Sequence, residues 1–562
     1  MQNHKILKIA SAEASLQNTL VDKLGISKIL AQLLINRGIN DAQEAGRFLN
    51  TDLKDLLDPF SFRDMPKAVE IIKEAAGSGK KVMLFGDYDV DGITSLALLK
   101  ETLKKFAIAP QHYIPHRVRE GYGLTKNIAA ILKQKGVGLL ITADCGTNSH
   151  QQIRELRRNN IEVIVTDHHE QSDNEPSSAS AVINPKIKGC VYKYRDLSGV
   201  GVAYKLCQAL TGNALVEELD LVALGTIADI VPLTGENRVI VKEGLLRLSQ
   251  TRRAGIRALM EKSGIKGRRM TSTFVSFVLA PRLNASGRMD TAETALNLLL
   301  SEEEVQAMEL AVVVEGYNRQ RQKVENKIME EAQALIDKEV NFKDHKVIVI
   351  AKEDWHQGVL GIVASKLADR FYRPTILISL GDDLCKGSGR SVKNFHLFQA
   401  LLGCKDFLNT FGGHSHAVGI TITRDNIEGF KDEINRLARE RLRLEDLIPS
   451  LDIDMELSLA DLSAGLAKEI ESLEPFGNGN PEPLFYTRNL KLKDEPQVLS
   501  RYTLKFWVSD GHNTYEAIGF GLSNLKESLM KADYFDLVYT PQIDSWRGEE
   551  GIILEIKDIF FR

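Results

Sequence analysis

The apolar run from Ile161 to Val165 ends in Asp167, His168 and His169, within the segment VIVTDHHE. Two other apolar runs end in carboxylates: VMLFGDYDVDG carries Asp87, Asp89 and Asp91, and LLITADCGT carries Asp144. Further on, LVALGTIADIVPL sets Asp229 in an apolar helical stretch, where an ionised carboxylate is costly unless it is paired or bound to a cation. An isolated Asp-His-His triplet also fits a loop with a satisfied histidine pair. Four converging segments favour a metal site instead.

Carboxylates and imidazole without thiolates make a hard-to-borderline donor set, suited to manganese or magnesium more than zinc, and the histidine tips it toward manganese. Asp87 and Asp89 share a loop and can serve two ions, Asp144 can bridge them, and His168 with Asp229 can complete one coordination sphere. Two cations about 3.5–4 Å apart would clamp a phosphate, lower the pKa of a shared water and stabilise a leaving oxygen. The chemistry implied is hydrolysis of a phosphodiester or phosphoanhydride.

Competing schemes lack their parts. No GxSxG stands at a strand-to-helix turn, and the GxxxxGK[ST] phosphate loop is missing. Gly77 to Lys81 (GSGKK) precedes a strand, which makes it a helix cap and turn. Cys145 has apolar and acidic flanks that disfavour a thiolate nucleophile. PRLNASGRM (Arg282, Asn284, Ser286, Arg288) and GSGRS (Ser388, Arg390, Ser391) join small residues to guanidinium groups, a composition suited to close backbone approach and bidentate phosphate contact. GGHSHAVG, with His414 and His416, reads equally well as a glycine turn entering a strand.

The elements that must position these residues form an α/β pattern. From Lys81 to about Asn184, apolar strands alternate with amphipathic helices, which predicts a parallel sheet whose ligands bind beyond the carboxyl ends of its strands. Residues 213 to 300 read as mostly helical, and a proline-free charged helix continues from Ser301 as a connector. A second α/β unit comes next. From Leu451, aromatic-containing strands with one helix among them suggest a small closed barrel of the OB type. The division is then an N-terminal helical segment over 1–60, a catalytic domain over 61–300, a connector over 301–340, a second lobe over 341–448 and the barrel over 449–562.

With 562 residues and 43% hydrophobic content, the chain calls for several domains. Its N-terminus lacks the apolar core of a secretory signal, and no stretch of about 18 apolar residues could span a membrane. Five scattered cysteines without a CxxC pair suggest reduced thiols rather than a disulfide framework or thiolate zinc site. A net charge of −4 excludes binding to nucleic acid by bulk positive charge, so any grip must be local. Arg157 and Arg158, Arg252, Arg253 and Arg257, and Lys266, Arg268 and Arg269 form basic runs that read first as solvated faces.

In their order, GDYDVDG, ITADCGT, VTDHHE, GTIADIVPL, PRLNASGRM, GSGRS and GGHSHAVG resemble the DHH phosphoesterase superfamily, and within it the single-strand-specific DNA exonucleases. The resemblance runs from about Phe60 to the C-terminus and includes PFGNGNPEP (Pro475 to Pro483). It implies two α/β lobes joined by a long helix, with an OB domain, around a central hole. It also implies processive 5′-to-3′ release of mononucleotides from single-stranded DNA with manganese or magnesium, in repair and recombination. Asp87, Asp89, Asp144, His168 and Asp229 would be metal ligands, and Asp91 a ligand or a brace of the loop. His169 would stand near the scissile phosphate, beside Asp144 and His168 as catalytic groups. Arg117 in IPHRVREGYGL, with Ser388 and Arg390, would hold a terminal 5′-phosphate. Arg282, Asn284 and Arg288 would meet further substrate groups, and His414 would line the entry. Implied partners are a single-stranded-DNA-binding protein and a helicase in the cytoplasm, with no membrane. Some members carry a further C-terminal domain, whereas this chain is expected to stop after the barrel. Tyr502, Phe506, Trp507 and Tyr515 are stacking candidates, half of them expected in the barrel core. Rival readings are a phosphodiesterase of short oligonucleotides or cyclic dinucleotides, and an inactive DNA-binding scaffold.

Overall fold

Runs rich in Val, Ile and Leu form the first sheet, seen in a computed structural model that describes residues 5–171, 178–500, 502–544 and 551–562. Its strands are β1 (Val82–Gly86), β2 (Gln111–Tyr113), β3 (Leu139–Ala143), β4 (Glu162–Thr166) and β5 (Ala181–Ile183), all parallel in the order β2-β1-β3-β4-β5. β1 and β3 are buried throughout, hence continuous apolar runs instead of alternation. Gly86, Ala143 and Thr166 stand abreast in the ladder, so Asp87, Asp144 and Asp167 leave the sheet at one level. The expected α/β lobe is present.

Helices take over where the strands end. α1 (Val90–Lys104) starts on Asp89, whose side chain accepts from the Gly92 amide at 3.1 Å. Gly92 has to be glycine: a Cβ there would lie 2.4 Å from the Asp87 carbonyl oxygen. α2 (His150–Arg158) joins β3 to β4, while α3 (Gly199–Thr211) and α4 (Leu219–Ala228) pack on α1. The PRLNASGRM segment forms α5 (Ala280–Met289), entered through a π turn at Val275–Leu279. The connector is α6 (Glu304–Glu339), 36 residues and about 54 Å long at 1.5 Å per residue.

The second sheet contains β6 (Ile348–Glu353), β7 (Thr375–Leu380), β8 (Cys385–Arg390), β9 (Thr410–Gly413) and β10 (Ala417–Ile422), in the order β9-β10-β8-β7-β6, with α7 (Gln357–Phe371) packed on β7 and β8. Glycine-rich GSGRS lies in and just after the central strand. Added Cβ atoms on Gly387 and Gly389 would come within 2.7 Å of Ile420 and 2.8 Å of Val418, so only glycine fits between the neighbouring strands. Both sheets belong to one compact unit, residues 57–229 and 244–449.

A second unit comprises residues 5–56, 230–243 and 450–562. Its seven-stranded sheet contains β11 (Phe485–Leu492), β12 (Thr503–Ser509), β13 (Thr514–Phe520), β14 (Phe535–Asp544) and β15 (Gly551–Phe561). β12 also pairs back onto β11, Lys491 opposite Ser509 and Leu492 opposite Val508, closing the OB barrel expected from the sequence. Phe506 lies in the core and Tyr515 packs against it, whereas Trp507 is half-buried and Tyr502 is 67% exposed. Three N-terminal helices, Ala14–Leu24, Lys28–Asn36 and Ala42–Leu49, put Leu20, Leu30 and Leu33 into the hydrophobic cluster that holds Phe485 and Leu504. Too short to enclose a core of their own, they share the barrel's. Among the described residues, no helix is long and apolar enough to cross a membrane.

Candidate metal centre and phosphate pocket

Strand ends deliver the carboxylates. Asp87 is 4% exposed and Asp144 3%, and Asp144 turns the chain with a φ of 62° in the left-handed region. Beneath it, Gly199 opens α3, where a Cβ would lie 2.6 Å from Asp144 Oδ1. Asp229 caps the C-terminus of α4. Ligand atoms of Asp87, Asp89 and Asp144 lie within 4.8 Å of one another, as do those of Asp144, His168 and His169, and those of Asp91, His168 and Asp229. His168 Nε2 is 3.2 Å from Asp144 Oδ1 and 3.5 Å from Asp229 Oδ2, so Asp144 adjoins both neighbourhoods.

This arrangement is electrostatically expensive. Burial, then repulsion from neighbouring aspartates, pushes the Asp87, Asp144 and Asp229 carboxyls well above the usual range. Burial and the neighbouring His169 depress His168 to about 3, leaving the neutral imidazole that a metal requires. Asp87 Oδ1, Asp144 Oδ1 and His168 Nε2 are buried without hydrogen-bond partners. Orphaned, convergent donors of this kind fit divalent cations.

Asp91 is engaged differently. Its two oxygens accept from the Gly199 and Val200 amides at 2.6 and 2.8 Å, anchoring the start of α3, and it lies 3.8 Å from His168 Nε2. Burial, then Asp89, raises its carboxyl to about 7. Three segments therefore meet at one buried carboxylate.

The second histidine is oriented, not orphaned. Asp167 Oδ1 accepts from the His168 and His169 amides at 2.7 and 3.1 Å and from His169 Nδ1 at 2.8 Å, while Oδ2 accepts from the Thr147 amide at 2.9 Å. Burial alone would raise Asp167, but the hydrogen bond and charge of His169 hold it well below the ordinary range. Against its own burial, His169 is raised by the same bond. With Nδ1–H committed to Asp167, Nε2 is the ring nitrogen left for chemistry. Tyr122 Oη lies 2.9 Å from His169 Nδ1 and donates to the Asp144 carbonyl at 3.2 Å. Asp167, which the sequence groups with His168 and His169 at the end of its strand, is thus committed to hydrogen bonds, and Tyr122 is not among the site residues read from sequence.

Guanidinium groups gather next to the carboxylates. Arg117 lies over the ring of Tyr88, between Asp87 and Asp89 in sequence, at 4.5 Å from its centroid. Arg288 Nη1 donates to the Gly358 carbonyl at 2.9 Å, and Arg390 Nη1 donates to the Gly389 carbonyl at 2.8 Å beside Ser388 Oγ at 3.4 Å. Burial, then Arg117 and Arg390, lowers Arg288 to about 9, and burial with Arg117 lowers Arg390. Arg117, Arg288 and Arg390 form no ion pair among the described residues. Gly361 leaves room beside them, since a Cβ would sit 2.9 Å from Arg390 Nη2. Cations that repel one another in a half-buried site make an anion receptor.

Other sequence-selected residues are placed elsewhere. Arg282 pairs with Glu315 of α6 at 2.7 Å and donates to the Val278 carbonyl. Asn284 Oδ1 accepts from the Val90 amide at 3.2 Å, holding the first turn of α1. His414 is exposed in the turn between β9 and β10. Among the basic runs, Arg253 is bound by Glu101 and Asp220, Arg257 by Glu304 and Lys266 by Glu261. Cys145 is fully buried and its thiol is pushed well up by burial.

Three family models match the chain in succession: the DHH family, N-terminal domain, over residues 81–226; the DHHA1 domain over 344–440; and the RecJ OB domain over 453–558. The single-stranded-DNA-specific exonuclease RecJ of Bacillus subtilis (strain 168) is 38% identical over 543 residues, covering 96% of this chain and 69% of the relative. That of Dickeya dadantii (strain 3937) is 34% identical over 562 residues, covering 95% of this chain and 96% of the relative. The crystal structure of RecJ in complex with Mn2+ from Thermus thermophilus superposes with a TM-score of 0.85 at 28% identity, covering 100% of this chain and 80% of that one.

Proposed function

The chain belongs to the RecJ family of DHH proteins, and on that ground we propose that it is a metal-dependent, single-stranded-DNA-specific exonuclease releasing mononucleotides from the 5′ end. The observation that carries this reading is the juxtaposition of orphaned metal donors with unpaired guanidiniums. Asp87, Asp89, Asp144, His168 and Asp229 would hold two manganese or magnesium ions. When bound, such ions neutralise charge on the phosphate and acidify water.

The chain's own residues do the rest. Arg117, Arg288 and Arg390, with Ser388, hold the doubly charged terminal phosphate, a grip that an internal phosphate with a single charge cannot fully satisfy. That difference favours a strand's end. His169, its Nδ1 committed to Asp167, offers Nε2 to the scissile phosphate and, when protonated, donates to the charge developing there. Arg282 and Asn284 act as supports for α5 and the metal loop, and His414 meets the incoming strand. The OB barrel supplies a sequence-tolerant hold on the rest of the strand.

An enzyme that takes only single strands depends on their supply, which suits work beside a helicase and a single-stranded-DNA-binding protein during repair and recombination. Five free thiols suit the reducing cytoplasm. One gel tests the reading: with manganese, a 5′-labelled single strand should give labelled mononucleotide at once and a 3′-labelled one a descending ladder. Duplex DNA should resist. An intact single strand alongside hydrolysed dinucleotides would replace this reading with that of a small-substrate phosphodiesterase.

A further inference from the structure

The loop carrying Arg117 ends in a residue that reaches the metal centre. In IPHRVREGYGL, Tyr122 stands between Gly121 and Gly123, whose φ values of 81° and 85° let the chain turn on either side of it. The loop is internally fastened. Glu120 accepts from the Tyr113 hydroxyl at 2.6 Å and from the His116 amide at 2.7 Å, His116 Nδ1 accepts from the Val118 amide at 3.2 Å, and Lys386 donates to the Val118 carbonyl at 3.1 Å. These bonds hold the segment from Arg117 to Glu120 in one conformation up to the glycine that precedes Tyr122.

At the far end, the Tyr122 hydroxyl has two neighbours and one proton. His169 Nδ1–H is directed to Asp167 at 2.8 Å, so the Tyr122 hydrogen goes to the Asp144 carbonyl while its oxygen lies 2.9 Å from the imidazole. One hydroxyl thus bonds the main chain at Asp144, held at a positive φ, and packs its oxygen against the ring of His169. The tyrosine ring lies tilted against that imidazole, 5.1 Å between centroids.

We infer that Tyr122 is a positioning residue that couples recognition of the strand's terminal phosphate by Arg117 to the placement of Asp144 and His169. The inference rests on the exonuclease reading. It predicts that an end lacking its phosphate is cut slowly because the catalytic groups are less well held, in addition to being bound less tightly.

Tyr122→Phe keeps the ring and removes the tie. On a 5′-phosphorylated single strand its kcat should fall about tenfold, the effect of one hydrogen bond, with KM within about twofold of the parent. The parent's kcat advantage for 5′-phosphorylated over 5′-hydroxyl strands should shrink by a similar factor. Unchanged kcat, or a raised KM at full kcat, overturns the inference, the latter outcome making Tyr122 a stacking surface. A second readout needs neither DNA nor metal: in 15N-histidine-labelled protein, the ring nitrogens of His169, assigned through His169→Gln, should report a protonated Nδ1 and shift in Tyr122→Phe. Identical His169 signals in both proteins overturn the tie. If the parent cuts no single-stranded DNA, the exonuclease reading fails, and the ring signals still decide the geometry.

Discussion

Replacing Asp91 separates two roles that a buried carboxylate in an acidic cluster can play. Both oxygens are committed to the Gly199 and Val200 amides, at the N-terminus of a helix that is buried over almost its whole length. Asp91→Ala leaves two buried N–H groups unpaired at about 1–3 kcal/mol each, and removes an anion from a helix start, about 0.3–2 kcal/mol. Relief of repulsion from Asp89 and Asp144 offsets part of this, leaving a net loss of about 2–5 kcal/mol. Metal-free protein should therefore unfold at distinctly lower urea, with amide exchange accelerated in α3. Asp144→Ala, which removes an orphaned oxygen, should keep or gain metal-free stability. Manganese titrations by electron paramagnetic resonance complete the comparison: Asp144→Ala loses bound ions outright, whereas Asp91→Ala, at temperatures where it is folded, keeps its stoichiometry. An Asp91→Ala protein as stable as the parent but short of one ion would refute the bracing argument and make Asp91 a ligand.

Asp144→Ala and His168→Ala should each abolish cleavage while leaving binding to a single strand in EDTA within about threefold by fluorescence anisotropy, since neither belongs to the proposed grip; residual cleavage at a tenth of the parent rate would remove them from the metal set. Arg390→Ala should raise KM for 5′-phosphorylated strands about tenfold or more, the effect of a lost charge-assisted bond at about 1.5–3 kcal/mol, and barely change it for 5′-hydroxyl strands. Arg282→Ala should do the reverse, keeping KM but costing about 1.5–3 kcal/mol of stability, since Glu315 keeps Arg319 at 3.0 Å, and an altered phosphate preference without destabilisation would return Arg282 to the substrate. His168, depressed to about 3, acts in the opposite sense, but because the folded-state values of Asp87, Asp144 and Asp229 are raised, and that of Asp91 to about 7, these four carboxyls hold more protons in the metal-free folded protein than in the unfolded chain once pH exceeds about 4. This contribution to stability is complete below that pH and lost as pH rises through the folded values. In EDTA, thermal scans should thus show the parent losing more stability between pH 5 and 8 than Asp144→Asn, and an equal or smaller loss would contradict the assigned directions.

Much of this site could be read from the chain because parallel strands in register bring the residues after them to one level. An apolar run ending in aspartate, repeated at Asp87, Asp144 and Asp167, is the linear trace of that geometry. What sequence could not separate were like groups with unlike partners. Asp91 and Asp89 are two positions apart, yet one anchors α3 and the other caps α1 at the metal loop. Arg282 and Arg288 share a helix, but only Arg282 meets a glutamate 33 positions away on α6. The assignment of Asp167 to His169 and the Tyr122 contact likewise depend on hydrogen bonds that no spacing rule encodes. At the other end of the chain, amphipathic helices over 14–49 look separable until their apolar faces are found in the barrel's core.

The two charged clusters also explain each other. Carboxylates with raised pKa values and guanidiniums with lowered ones occupy neighbouring space, and an ordinary protein surface would let them pair and relax. Here Tyr88 stands between them: its neighbours in sequence, Asp87 and Asp89, belong to the acidic group, while its ring carries Arg117. Gly287, whose added Cβ would lie 2.6 Å from the Tyr88 carbonyl, brings α5 and thus Arg288 up to the same loop. Among the described residues, no ion pair joins Arg117, Arg288 or Arg390 to the aspartates of this loop. On the proposed function each cluster draws a counter-ion from outside, a cation for one and a phosphate for the other, and a DNA end with its metal ions would supply both at once. Binding of either ligand lowers the cost of the charge that faces the other, so metal and 5′-phosphorylated strand should bind cooperatively. That cooperativity belongs to the separation itself: a substitution at Tyr88 that let Arg117 reach Asp87 or Asp89 would stabilise the metal-free protein while weakening both ligands together.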